Sequence, residues 1–283
     1  MEVIAALFDV LSFAAAIVLV VLGLGIIANM MGIFNFAHGE FVLLGAYVTW
    51  LASSWGYSAW AGILAAPILL ALFGALLELT VIRRFYAAPI VAMLATYALS
   101  LIIRESVRSL IGGLYYSVPE PLPGSFVIGA VSLSRWRMVV ILITIIVMLS
   151  CYLLLTRTSV GLKVRASLEN PALARASGLS TSRIYAMTFA FGAALAGLAG
   201  ALIVPIFALS ADLGIRFLIQ GFVAVMLGGV GSFEGPLVGA GVIGISSAAL
   251  PWAVPPVLAD VLVFVLAIVF IKFRPGGLLA RRV

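Results

Sequence analysis

Charge is scarce in this chain. Only 9% of its 283 residues are Asp, Glu, Lys or Arg, against about 25% in a soluble domain of similar size. Cysteine occurs once, as Cys151 inside an apolar run, which excludes an internal disulfide and a cysteine-built metal site. Histidine also occurs once, as His38, which excludes a multi-histidine metal centre. No G-x-x-x-x-G-K-[ST] phosphate loop is present, so ATP binding in that mode is excluded. The first residues lack the basic region that opens a signal peptide; Glu2 and Asp9 stand there instead, ahead of a long apolar segment, so no cleaved leader is expected.

Apolar sequence fills the space that charge leaves. Hydrophobic residues make up 65% of the chain, and its mean hydropathy is +1.30. Crossing the hydrocarbon core takes about 20 apolar residues in a helix. Spans are expected near Val10–Met30, Phe34–Ala52, Ala59–Ile82, Pro89–Ile111 and Trp136–Thr156, then Arg183–Phe207, Ile215–Val230, Pro236–Leu250 and Val257–Ile271. Gly and Pro interrupt the pattern between Ile215 and Lys272, so the count stands at about eight or nine. No stretch is polar enough for a separate soluble domain. The fold class is therefore an all-α polytopic membrane protein, residues 1–283 forming a single domain. Cys151 reads as a small packing residue.

The few charges are sorted. Arg83 and Arg84 follow one span; Arg157, Lys163, Arg165, Arg175 and Arg183 cluster together; Lys272, Arg274, Arg281 and Arg282 close the chain. These are eleven of the 16 Lys and Arg, and basic loops stay cytoplasmic. The opposite loops are expected to hold Glu105, Glu120, Asp212 and Asp260 with Arg104, Arg108, Arg135, Arg137 and Arg216. The C-terminus is then cytoplasmic and the N-terminus outside. A net charge of +6 follows from basic loops beside anionic lipid and calls for no nucleic-acid partner. Ser167 in the basic cluster and Ser117 in the longest outer segment, Gly112–Arg135, belong on opposite faces. That outer segment is too rich in Pro and Gly for a long helix, and reads as a plain connection or a small cap over the outer mouth.

Residues 157–182 form a basic, soluble island between two spans. Asn170 suits a helix N-cap, Pro171 the first helical position and Gly178 the left-handed residue that ends a helix. A connecting loop needs no such punctuation; a rigid helix at the membrane surface suits docking.

Two further segments break the run of simple spans. IFNFAHGEFVLLGAY, Ile33–Tyr47, places Asn35, His38 and Glu40 where one span turns into the next. Ionisable groups near hydrocarbon face protein, water or a pathway. The functional reading is a gate or pathway element; the structural one is a helix start with Asn35 as cap and Glu40 favoured by the helix dipole. LGGVGSFEGPLVGAGVIG, Leu227–Gly244, provides a tight turn at Glu234 followed by a small-residue packing face, and faintly echoes the first segment. FGAALAGLAG, Phe191–Gly200, has the same small-residue character.

In this order, NFAHGEFVLLGAY, GLKVRASLENPALARASGLSTSRIYAMTFAFGAALAGLAG, GGVGSFEGPLVGA and IKFRPGGLL resemble the permease subunits of bacterial ABC importers, specifically the branched-chain amino acid (LivH-like) family, over nearly the whole chain. Urea and short-chain amide permeases share these motifs. The resemblance implies a non-catalytic subunit of an ATP-driven importer in the bacterial inner membrane. Its coupling helix would dock on an ATPase through Glu169, Asn170, Pro171, Ala172, Ala176 and Gly178, although ENPALARASG departs from the stricter motif of other importers. It further implies a second homologous permease, two ABC ATPases carrying ATP and Mg, and an extracytoplasmic binding protein, with no cofactor on this chain. Candidates for the pathway or its gate are Asn35, His38, Glu40, Thr96, Ser100, Gln220 and Glu234. A proton-coupled secondary transporter using His38 and Glu40 is the competing class; it leaves the capped helix without a task. A serine hydrolase built on Ser232 and His38 lacks any orienting group.

Overall fold

The computed structural model describes residues 2–32, 34–86, 88–128, 131–274 and 276–279; Arg281 and Arg282 lie outside the described residues. Among these residues eleven α-helices follow one another: α1 (Glu2–Met31), α2 (His38–Ser54), α3 (Ala59–Thr80), α4 (Pro89–Ile111), α5 (Arg135–Arg157), α6 (Ser159–Glu169), α7 (Pro171–Ala176), α8 (Thr181–Ile203), α9 (Leu213–Gly228), α10 (Glu234–Ala249) and α11 (Pro256–Phe273). Among the described residues, seven helices are long and apolar enough to cross a membrane: α1, α3, α4, α5, α8, α10 (with the 3-10 turn after it) and α11. The other two expected spans appear as shorter helices, α2 with 17 residues and α9 with 16.

A helix that is apolar all round must be buried in protein or in lipid. Helix α1 takes the first course. Ile17, Val20, Val21 and Leu24 have no exposed surface, and α5, α8, α9 and α10 surround it. Helices α4, α5 and α11 turn mainly apolar, unburied faces outward, with only 17–22% of each span buried.

The interior helices close on one another through missing side chains. Without a hydrophobic drive between helices in lipid, close backbone approach does the packing. Gly45 of α2 lies against the backbone of Gly197 in α8, and Gly200 one turn on lies against the Val42 carbonyl; a Cβ at either glycine would overlap backbone atoms. The run Phe191–Gly200 is thus the packing face that its composition suggested.

The outer segment corrects the all-α expectation in one detail. Residues β1 (Ser125–Ile128) and β2 (Val131–Ser134) pair as an antiparallel hairpin, Phe126 opposite Leu133. Proline-rich sequence before it forbids helix, and the alternating residues that follow satisfy their backbone groups by pairing. Arg135 stacks over the Phe126 ring at 4.9 Å. A bridge between Tyr116 and Leu209 ties the same segment to the chain after α8. Cys151 is buried, in keeping with a packing role.

Candidate functional site

Helix α2 begins inside the bundle. His38 Nε2–H donates to the Val20 carbonyl at 3.1 Å. Val20 lies 11 residues before the end of α1 at Met31, roughly 16 Å along its axis. The chain therefore climbs back beside α1 before α2 starts. The first turn of α2 is wholly buried, with Glu40 at 0% exposure.

A charge there needs compensation, and α4 supplies it. Glu40 Oε1 accepts from Ser100 Oγ at 2.9 Å and from Arg104 Nε and an Arg104 terminal nitrogen at 3.0 and 2.5 Å. The same guanidinium donates to Ser100 Oγ at 3.1 Å. One turn before Ser100, Thr96 Oγ1 accepts the Phe36 N–H at 3.1 Å. One turn after Arg104, Arg108 pairs with Asp212 at 2.7 Å. Thr96, Ser100, Arg104 and Arg108 recur every fourth residue, so they form one polar stripe along α4. Three of its members bind the polar turn and α2, and the fourth binds the start of α9.

Two expectations for this turn are corrected. Asn35 is not the N-cap of α2: Ala37 holds that position, and Asn35 Oδ1 accepts the Ala37 N–H at 3.0 Å, stabilising the turn before the helix. Arg104 is not an outer-loop residue: it is 9% exposed within α4, because Glu40 and Ser100 satisfy it there. It is the residue that sequence reasoning missed, and the four-residue spacing of the stripe was the available signal.

The remaining candidates lie elsewhere. His38 turns towards α1, against Gly23, and away from the Glu40–Arg104 pair. Gln220 shares a stripe of α9 with Ala224 and Gly228, which pack on Gly239 and Gly235 of α10. Glu234 is exposed at the first turn of α10, after a turn in which Gly229 and Gly231 have φ of 93° and 113°. Asn29 clasps that turn, accepting from the Gly231 N–H and donating to the Ser232 carbonyl. Ser232 Oγ accepts the Gly235 N–H, and no hydrogen bond joins it to His38. Four buried polar atoms of these residues have no protein partner: Asn35 Nδ2, His38 Nδ1, Glu40 Oε2 and Gln220 Oε1.

The basic island folds into two helices, α6 and α7, of which the sequence indicated only the second. Thr158 caps α6 through the Gly161 N–H. Asn170 Oδ1 accepts the Leu173 N–H at 2.9 Å and Pro171 occupies the first turn of α7. At the other end Gly178 has φ 81°; its N–H bonds the Arg175 carbonyl and the Leu179 N–H the Ala174 carbonyl, the double closure of a Schellman motif. Glu169, Asn170, Ala172, Ala176 and Gly178 are exposed and Pro171 half-buried, with Leu173 an exposed apolar side chain among them. Ser167, expected at the surface, is instead fully buried in α6, where its carbonyl accepts from Tyr185. Nearby, Glu78 of α3 is buried and held by the Tyr86 hydroxyl at 2.6 Å and by Arg83. Burial, then the Glu78 carboxylate, pushes the Tyr86 phenol above its ordinary range and keeps it a donor.

A multi-pass helical bundle with a polar stripe in its interior and a capped helix at its basic end has the make-up of a membrane transport subunit. The chain belongs to the family described as branched-chain amino acid transport system, permease component, which matches residues 6–271. It is 29% identical to the high-affinity branched-chain amino acid transport system permease protein BraD of Pseudomonas aeruginosa, across 96% of this chain and 94% of that one. It is 25% identical to the permease protein LivH of Salmonella typhimurium, across 97% and 94%. A probable LivH of Methanocaldococcus jannaschii is 28% identical across 85% and 78%. No solved structure matches the chain.

Proposed function

We propose that this chain is the membrane subunit of an ATP-driven importer for branched-chain amino acids. It pairs with a second homologous permease, two ATPases that carry ATP and Mg, and an extracytoplasmic binding protein. Nine of the described helices lie in the membrane, α2 and α9 among them, with the N-terminus outside and the basic end cytoplasmic. The observation that carries the reading is α7: a short helix closed at both ends, set on the basic end of an apolar bundle, with its exposed side free. Stiffness is what a coupling element needs. Movement of an ATPase groove around Glu169–Gly178 passes to α5 and α8 without being absorbed in fraying turns. The pathway then alternates between outward and inward access.

Glu40, Asn35, Thr96 and Ser100 form the pathway or gate element beside α4. Glu40 Oε2 offers an acceptor and Asn35 Nδ2 a donor with no protein partner. That pair of chemistries suits the ammonium and carboxylate of a zwitterion. Urea, which carries no charge, gains less from a carboxylate already beside an arginine. His38 ties the start of α2 to α1, and Glu234 marks the turn before α10.

The test is uptake by the complete importer in vesicles, comparing radiolabelled leucine with urea. ATP-dependent accumulation of leucine, with urea excluded, is expected. Accumulation of urea without leucine would assign the chain to the amide-transporting branch; uptake of either driven by a proton gradient without ATP would overturn the importer reading.

A further inference from the structure

At the basic end a cleft of about 630 Å³ opens between α5, α6 and α8 and reaches α1 at Ile26. Its walls are mainly apolar: Leu154 and Leu155 from α5, Val160 and Val164 from α6, Met187 and Phe191 from α8. Lys163 and Arg183 stand in the same lining. Arg183 lies two residues into α8 and Phe191 eight residues further, so the cleft runs roughly 12 Å along the helix. One leaflet of the hydrocarbon core is about 15 Å thick. Two cations at the membrane border and an apolar wall of one leaflet's depth match the two halves of a phospholipid.

The charges are free to serve it. Among the described residues neither Lys163 nor Arg183 has an acidic partner, whereas Arg108 and Arg137 at the opposite end pair with Asp212 and Asp9. Arg165, also on α6, is already taken up by the Leu155 carbonyl. Met187 is 66% exposed on the open side of the cleft. Basic pockets between spans on the cytoplasmic side take anionic headgroups.

We propose that this cleft binds an anionic phospholipid, with its phosphate on Lys163 and Arg183 and one acyl chain along Leu154, Met187 and Phe191. Gly178 and Leu179 also line the cleft, so the bound lipid braces the closed end of α7. Coupling of ATP hydrolysis to transport then depends on anionic lipid. The leaflet concerned rests on the cytoplasmic placement of the basic end proposed above; binding itself does not.

The experiment uses the complete importer in nanodiscs of phosphatidylcholine doped with phosphatidylglycerol that carries a diazirine in its acyl chain. After illumination, the label is expected on the α8 peptide from Arg183 to Phe191. Each cation near an anionic headgroup contributes about fivefold in affinity, so Lys163→Gln with Arg183→Gln should weaken labelling about thirtyfold in a lipid titration. Met187→Trp, which narrows the open side of the cleft and leaves both cations, should weaken labelling of that peptide. Equal labelling by diazirine phosphatidylcholine, labelling unchanged by either variant, or an ATPase peptide found cross-linked in the cleft would each overturn the proposal. Cysteine accessibility of the two faces reports the membrane orientation separately.

Discussion

Replacing Arg104 with Met leaves the Glu40 carboxylate buried at 0% exposure with Ser100 as its remaining partner. Breaking one side of a buried ion pair costs about 3–5 kcal/mol. Glu40 has an escape, because it can take up a proton. From an ordinary value near 4.3 to pH 7, at about 1.4 kcal/mol per pH unit, that costs about 4 kcal/mol. The penalty is therefore capped near 4 kcal/mol. At about 2–4 °C per kcal/mol for a large domain, the melting temperature should fall by about 10 °C.

The mirror change has no such cap. Glu40→Gln keeps hydrogen-bonding capacity, and a simple helix cap would tolerate it. In this structure it strands Arg104, which cannot shed its charge. Glu40→Gln should thus cost at least as much as Arg104→Met. Combining the two removes both charges, and the double variant should recover to within about 1.5 kcal/mol of wild type, a coupling well above the additivity error of about 0.5 kcal/mol. Melting is followed by tryptophan fluorescence of the purified importer in nanodiscs. Acidification distinguishes the singles: protonation becomes cheaper as pH falls, so the Arg104→Met deficit should shrink by pH 5 while the Glu40→Gln deficit persists. Singles that melt like wild type, or a double variant as unstable as the sum of the singles, would refute the idea that this pair fastens α2 to α4.

Three further outcomes are expected. Gly178→Val meets no neighbour within 4 Å but is strained at φ 81°, by about 1–3 kcal/mol; substrate-stimulated ATP hydrolysis should fall in a complex that still assembles, and Gly178→Asn should retain it. Cysteines at Ser117 and Ala172, both exposed, should label with a membrane-impermeant maleimide from outside and from the cytoplasm respectively, with buried Cys151 silent; labelling from one side would break the topology. Tyr86→Phe leaves Glu78 with Arg83 alone and should lower the melting temperature by the equivalent of about 1–3 kcal/mol, and an unchanged melt would mean that the hydroxyl bond is not made.

The parts of this molecule that were legible in sequence are those with local causes. Asn170, Pro171 and Gly178 each act on a backbone within four residues, so their order alone announced α7. Apolar runs likewise announced the long helices, because hydrophobic length in a bilayer is itself a one-dimensional property. Helix α6 went unread since its cap, Thr158, borders the basic sequence of an ordinary loop. The hairpin was obscured by length: each of its strands has four residues, too few for alternation to outweigh the prolines before them.

The interior site resisted reading for a different reason. Glu40 and Arg104 are separated by 64 positions, and nothing near either residue names the other. Charge counting assigns an arginine near a helix end to a loop, because an unpaired guanidinium in hydrocarbon is costly. The assignment fails only when a buried carboxylate meets it, and that meeting depends on α2 starting roughly halfway along α1 instead of at the membrane border. The start is itself set by His38 bonding Val20 and by Gly39 lying against Gly214. Thr96, Ser100, Arg104 and Arg108 nevertheless fall every fourth residue on an otherwise apolar helix. A polar stripe of that period has to face protein, and reading Arg104 with its stripe rather than with its neighbours places it inside.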